Sequence, residues 1–98
     1  MKLRELMKGI RLLDGNADLD MEISGVCYDS RKASQGCVFV AISGFAADGN
    51  RFIPMALEKG AALAVTDKAP EGENVPYLLV SSARGALAAM GANWYGHP

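Results

Sequence analysis

Four consecutive residues, Tyr28-Asp29-Ser30-Arg31, carry side chains that suit a planar ligand with an anionic group. Asp29 can accept hydrogen bonds from the backbone N–H groups that follow it and so hold a turn. Ser30 then offers a hydroxyl, Arg31 a guanidinium that matches phosphate or carboxylate, and Tyr28 a ring for a base. On spacing alone, an Asx-type turn closed by an internal Asp29–Arg31 ion pair is the favoured alternative.

A second candidate segment, Gly44-Phe45-Ala46-Ala47-Asp48-Gly49-Asn50, lies after the next apolar run. Its small residues would let backbone groups approach a planar ligand closely, and Phe45 supplies an apolar face. The alternative is a flexible loop with a turn at Asp48-Gly49. Ligands of open α/β sheets bind outside the carboxyl ends of the strands, so the two segments could converge on one ligand.

A third polar segment, residues 14–20, places oxygen ligands at alternate positions, as calcium loops do. Leu19 stands where such a loop needs Gly, and Gly25 stands where it needs Glu, so a solvated connection is the better interpretation. The chain has neither a phosphate loop nor a dinucleotide-binding glycine motif, and its one histidine is His97. We therefore predict no metal site and no self-contained catalytic set in this stretch.

The elements that must position these segments follow from the apolar pattern. Strands are expected over Met21–Tyr28, Cys37–Ile42, Ala62–Thr66 and Tyr77–Val80, with a turn at Asp14-Gly15-Asn16. Helices are expected around Leu3, Leu6, Met7 and Ile10, over Phe52–Lys59 with Gly60 ending it, and after a cap at Ser81 or Ser82. This order predicts an α/β fold with a small, mixed, largely parallel sheet flanked by helices, in one domain over residues 1–98.

Composition narrows the function classes. Ten basic and eleven acidic residues give a formal net charge of -1, which argues against nucleic acid as a partner. Charge-free apolar stretches such as Cys37–Ile42 are far shorter than a membrane span, so no membrane partner is expected. Lys8 and Arg11 interrupt any secretory signal, which predicts a cytoplasmic location. Cys27 and Cys37 are expected to be two buried, reduced thiols.

Taken together, the residues between Ile23 and Ala64 resemble the N-terminal domain of the Mur ligases of peptidoglycan synthesis. The matching pieces are residues 28–31, 36–42, 44–49, 52–53 and 56–61. Within the family, the ligase that adds the third residue of the stem peptide is the most similar. The ligase that adds D-alanyl-D-alanine, often with Thr where Ser30 stands, is the near alternative. A stand-alone α/β nucleotide-binding module is the alternative from outside the family.

The resemblance implies that the chain binds the uridine-diphosphate end of UDP-N-acetylmuramoyl-L-alanyl-D-glutamate. It implies nucleotide contacts from Ser30 and Tyr28 and a loop that reads the uracil, formed by Phe45, Ala46 and Ala47. Site-shaping roles are implied for Asp29, Arg31, Asp48 and Gly49. Two positions depart from the family pattern, Cys37 in place of a common Asp and Asn50 in place of a frequent His.

The same resemblance covers only the first of three family domains. It implies that a middle domain holds ATP and magnesium and that a last domain helps to bind the incoming meso-diaminopimelate or L-lysine. In the family reaction ATP phosphorylates the D-glutamate side-chain carboxylate, and the amino group of the incoming residue attacks the acyl phosphate. The expected partners are thus the substrate and these two domains, and the 98-residue stretch alone is expected to be catalytically inactive.

Overall fold

Five strands form one sheet in the part of the chain that the computed structural model describes, which is residues 1–42, 49–70 and 74–96. The strands are β1 (Asp14–Gly15), β2 (Gly25–Cys27), β3 (Cys37–Ala41), β4 (Leu63–Thr66) and β5 (Tyr77–Leu79). The α-helices are α1 (Leu3–Leu6), α2 (Ile53–Glu58) and α3 (Ala83–Tyr95). There are also two 3₁₀ turns in these ranges. Ser30–Lys32 follows β2, and Gly49–Phe52 leads into α2.

The sheet has the strand order β1-β5-β4-β3-β2. Strands β2, β3, β4 and β5 pair in parallel, and only β1 runs antiparallel to its neighbour β5. The predicted mixed, largely parallel α/β fold is therefore confirmed. Because neighbouring parallel strands end at the same edge, the segments after β2 and β3 leave the sheet side by side.

Alternating side chains of the central strands build a core on each face of the sheet. Val38 and Val40 of β3 pack with apolar residues of α1 and α3, including Leu6 and Met90. Phe39 and Ala41 point to the other face, where Ile53 and Ala56 of α2 cover them. All five residues of β3 are buried, as the continuous apolar run predicts for a strand covered on both faces.

The first helix is shorter than its apolar stripe predicts. It ends at Leu6, and Gly9 follows with a φ of 83°, which breaks the helical path before Ile10. The Asn93 side chain of α3 donates to the carbonyl oxygens of Leu6 and Lys8, at 2.7 and 2.9 Å. The carbonyl groups left open by the early end of α1 are satisfied in this way.

The expected turn at Asp14-Gly15-Asn16 is instead the start of an edge strand. Asp14 and Gly15 pair with Leu79 and Leu78, and Asn16 bonds through its side chain to the backbone at both Val75 and Tyr77. Gly15 has a φ of 140°, and a Cβ there would lie 2.6 Å from the Tyr77 carbonyl oxygen. The turn prediction was wrong because these long-range contacts outweigh the local turn signal.

The second strand is also shorter than predicted, Gly25–Cys27 rather than Met21–Tyr28. Residues Met21 and Ile23 bond to the N-terminal segment instead, through Leu3 N–H to Met21 O and Ile23 N–H to Met1 O.

The residues predicted to begin α2 and α3 and to end α2 lie where the sequence places them. Pro54 lies in the first turn of α2, Gly60 follows it with a φ of 105°, and the Ser82 hydroxyl caps α3 by accepting from Gly85 N–H.

The two cysteines lie on neighbouring strands with their sulfur atoms 3.4 Å apart, both as free thiols. Cys37 is buried as predicted, but Cys27 is only half-buried. Burial and the hydrogen bond with Cys37 raise the pKa of the Cys27 thiol to about 12.

Among the described residues, no helix is long and apolar enough to cross a membrane.

Candidate functional site

The turn after β2 is held by Asp29. Its carboxylate accepts from the Arg31 backbone N–H at 3.0 Å, from Arg31 Nε at 3.1 Å and from Arg31 Nη2 at 3.0 Å. The Arg31 side-chain and backbone hydrogen bonds lower the pKa of Asp29 to about 2, and the pair raises the pKa of Arg31. The alternative predicted from spacing, an Asx-type turn with an internal ion pair, is the arrangement observed. Arg31 remains 81% exposed, so its outer face is still accessible to an anion.

This turn places Ser30 almost out of solvent, with 6% of its surface exposed. The Ser30 hydroxyl donates to the thioether sulfur of Met55 on α2, at an Oγ–Sδ distance of 3.5 Å. A thioether is a weak acceptor, so the hydroxyl retains most of its hydrogen-bonding capacity for a better partner.

Ser30 opens into a cleft of about 510 Å³ between the β2 turn and α2. The lining residues are Tyr28, Asp29, Ser30, Arg31, Phe39, Ile42, Phe52 and Met55. This volume is within the range of about 300–1,000 Å³ that small-molecule sites occupy. One side of the cleft is polar and charged and the other is apolar, which suits a ring joined to an anionic group.

Three large apolar side chains at this cleft are exposed: Tyr28 at 68%, Phe52 at 38% and Met55 at 42%. Tyr28 was predicted from the sequence, whereas Phe52 and Met55 were not. The spacing of three between them, which places side chains on one face of a helix, was the signal that could have found them.

The backbone of the turn is also tied to α2. Lys59, just after the end of α2, donates from Nζ to the Arg31 carbonyl oxygen at 3.1 Å. A charge-assisted hydrogen bond thus links the polar turn to the end of the helix that forms the apolar side of the cleft. This contact was not predictable from the sequence.

The second predicted segment falls mostly outside the described residues, which include neither Phe45, Ala46, Ala47 nor Asp48. Gly49 begins the 3₁₀ turn that leads into α2. Asn50, where the family often has His, bonds at the end of β4: its Nδ2 donates to the Lys68 carbonyl oxygen at 2.7 Å. A separate cavity of about 290 Å³ near Asn50 and Lys68 contains none of the residues predicted to bind the ligand.

A nucleotide-sized cleft at the carboxyl end of a mostly parallel sheet is a common arrangement in nucleotide-binding α/β domains. The family model described as "Mur ligase family, catalytic domain" matches residues 22–95. The chain belongs to the Mur ligase family, as its sequence motifs predict.

Two relatives show the similarity across the whole chain. The UDP-N-acetylmuramoyl-L-alanyl-D-glutamate--2,6-diaminopimelate ligase of Clostridium tetani is 40% identical over 104 residues, covering 100% of this chain and 21% of the relative. The UDP-N-acetylmuramyl-tripeptide synthetase of Roseiflexus is 46% identical over 100 residues, covering 100% of this chain and 20% of the relative. The chain therefore spans about a fifth of the length of the curated relatives it matches.

The fold is also that of solved Mur ligases. A crystal structure of MurF from Acinetobacter baumannii superposes with a TM-score of 0.76 and 24% identity, over 94% of this chain and 20% of that one. At this level of identity the superposition supports the fold alone.

Proposed function

We propose that this chain binds the uridine-diphosphate end of UDP-N-acetylmuramoyl-L-alanyl-D-glutamate, as the first domain of an ATP-dependent amide ligase. The observation that carries the proposal is the cleft of about 510 Å³ with the Ser30 hydroxyl at its polar end. The two relatives, which are named as a ligase and a synthetase of UDP-N-acetylmuramoyl peptides, support the choice of ligand.

Each side of the cleft contacts a different part of the nucleotide. The Ser30 hydroxyl donates a hydrogen bond to an oxygen of the nucleotide, and the exposed ring of Tyr28 contacts the uridine. The outer face of Arg31 attracts the diphosphate, while Asp29 keeps the turn in place. Residues 44–49 are proposed to complete the uracil end, with Phe45, Ala46 and Ala47 in contact with the ligand and Asp48 and Gly49 in support.

The chain supplies binding energy far from the reacting carboxylate, and this energy orients the substrate. ATP and magnesium do not fit the residues present here. The 98 residues contain no phosphate-loop motif, and the described ranges contain no group of three His, Cys, Asp or Glu residues that could hold a metal ion. We therefore propose that ATP, magnesium and the incoming amino acid bind to other domains of a longer ligase.

Two ligase steps remain to be compared. Addition of meso-diaminopimelate or L-lysine is favoured over addition of D-alanyl-D-alanine, because both relatives described above have names of the former type. Ser30 agrees with this choice, since the D-alanyl-D-alanine ligases often have Thr at that position.

Calorimetry of the 98-residue chain with UDP tests the proposal. We expect saturable binding that Ser30→Ala weakens by roughly 2- to 10-fold, the effect of one neutral hydrogen bond. Ser81→Ala, a change of the same kind at an exposed position outside the cleft, should leave the affinity unchanged. ADP should bind more weakly than UDP. Equal binding of UDP by the wild type and Ser30→Ala, or ATP-dependent ligation by this chain alone, would contradict the proposal.

A further inference from the structure

We propose that Phe52 and Met55 contact the ligand directly, with the uracil ring packed against them. In the absence of ligand the Met55 sulfur accepts the hydrogen bond of the Ser30 hydroxyl, and a ligand oxygen replaces the sulfur as acceptor on binding. This inference rests on the proposed function and assigns two further specificity-determining residues to the same cleft.

The exposure of these two side chains is not required by the packing of α2. Ile53 and Ala56, on the other face of the helix, are 2% and 0% exposed and fill the core beneath the sheet. Phe52 and Met55 instead lie at 38% and 42% exposure over the cleft that also contains Tyr28. Burial of this apolar surface against a planar ring is favourable.

Phe52 is the N-cap of α2 and Met55 lies within it, so regular helical structure sets the apolar side of the cleft. Pro54 lies in the first turn of α2, and Lys59 connects the end of the helix to the Arg31 carbonyl oxygen. The Met55 side chain is the adaptable part, because an unbranched thioether can change rotamer without backbone movement and packs well against aromatic rings.

The Ser30–Met55 contact gives the buried Ser30 hydroxyl a hydrogen-bond partner within the chain. Ser30 is 6% exposed, and its hydroxyl donates to the Met55 sulfur at 3.5 Å. A carbonyl or phosphate oxygen is a stronger acceptor than a thioether. Ligand binding therefore exchanges a weak acceptor for a strong one and moves the Met55 side chain.

Methyl NMR tests this step by step. The chain has five methionines, Met1, Met7, Met21, Met55 and Met90, so ¹³C-methyl labelling gives a small set of resonances. Titration with UDP should shift the Met55 methyl resonance and produce nuclear Overhauser effects between this methyl group and the uracil protons. The methyl resonances of Met7 and Met90, which are buried in the opposite core, should stay in place.

Substitutions give the energetic test. Phe52→Ala and Met55→Ala should each weaken UDP binding at least about 5-fold, the lower range for loss of one base-stacking side chain. Met55→Leu keeps an apolar side chain but removes the sulfur, so UDP affinity should stay equal to that of the wild type or rise. Leu13→Ala, which removes an exposed apolar side chain outside the cleft, is the matched control and should not change the affinity.

These experiments distinguish failure of the Phe52 and Met55 contacts from failure of UDP binding itself. If UDP shifts the amides of Tyr28 and Ser30 while the Met55 methyl stays in place and both alanine variants bind normally, the inference is overturned and the proposed function stands. If the wild-type chain does not bind UDP, the proposed function fails and this inference fails with it.

Discussion

Asn50 and Thr66 bond to each other at the carboxyl end of β4, with 2.7 Å between Asn50 Oδ1 and Thr66 Oγ1. Thr66 is fully buried, and Asn50 also donates to the Lys68 carbonyl oxygen. The residue that departs from the family's frequent His therefore anchors the start of the α2 segment to the sheet.

Asn50→Ala should lower the free energy of unfolding by about 1–2 kcal/mol, because it removes polar partners of Thr66 and Lys68. It should also weaken UDP binding, since residues 44–49 precede it directly. Asn16→Ala removes a similar asparagine bridge, to Val75 and Tyr77, at the far edge of the sheet. Urea denaturation and calorimetry should show a stability loss in both variants but an affinity loss only in Asn50→Ala. Normal UDP affinity in Asn50→Ala would contradict this anchoring role.

The Asp29–Arg31 pair predicts an acid-resistant turn. Arg31 lowers the pKa of Asp29 from its ordinary 3.8 to about 2. The folded state therefore binds this proton less readily than the unfolded state does. The contribution of Asp29 to stability is fully present above about pH 4 and is lost as the pH falls through about 2.

A ¹³C-detected carboxyl titration should place the midpoint of Asp29 near pH 2 in the folded chain. Arg31→Ala should move that midpoint back toward the ordinary value of Asp. A midpoint for Asp29 that Arg31→Ala leaves unchanged would show that the ion pair does not hold the turn.

Gly60 allows the loop before β3 to approach the end of α2. Its φ is 105°, and a Cβ there would lie 2.8 Å from Gln35 Oε1 and 2.9 Å from the Gln35 Cα. Gly60→Ala should therefore cost about 1–3 kcal/mol of unfolding free energy. Gly25→Ala is the matched control, since a Cβ on that strand residue meets no atom within 4 Å. Equal stability of the two variants in urea denaturation would refute the close-approach argument.

The cysteine pair should resist both alkylation and disulfide formation. Cys27 pairs in register with Phe39, and Cys37 pairs with Gly25, so the two cysteines are offset by two residues on parallel strands. Strand spacings put their Cα atoms about 8 Å apart, beyond the reach of a disulfide without backbone movement. The raised pKa of Cys27 also keeps it a thiol at neutral pH.

A thiol assay at pH 7 should therefore detect almost no reaction in the folded chain and two thiols after unfolding in urea. Mild oxidation should leave both counts unchanged. Rapid loss of both thiols in the native chain without loss of structure would show that the strands move enough to join the sulfurs.

Elements with strong local or apolar signals were predictable from the sequence. The apolar run of β3, the Ser82 cap of α3 and the glycine after α2 all lie as expected. The edge strand at Asp14–Gly15 was not predictable, because its two residues form a strand only through pairing with Leu78 and Leu79.

The site was predictable in chemistry but not in full composition. Asp29, Ser30 and Arg31 predict a turn that presents a hydroxyl, because the hydrogen bonds between Asp29 and Arg31 are local in sequence. Phe52 and Met55 were missed because an apolar residue in a helical pattern is normally assigned to the core. The packing of α2 on β3 decides which apolar residues of this segment face the cleft. That packing is a tertiary property, which the local sequence does not specify.

The most direct measurement is an NMR titration of the ¹⁵N-labelled chain with UDP. We expect saturable shifts at Tyr28, Ser30 and Arg31 and along residues 49–55, with β1 and β5 unchanged. No shift at millimolar UDP would contradict the proposed uridine site. So would shifts that centre on Leu57, Ala69 and Val75, which line the other cavity.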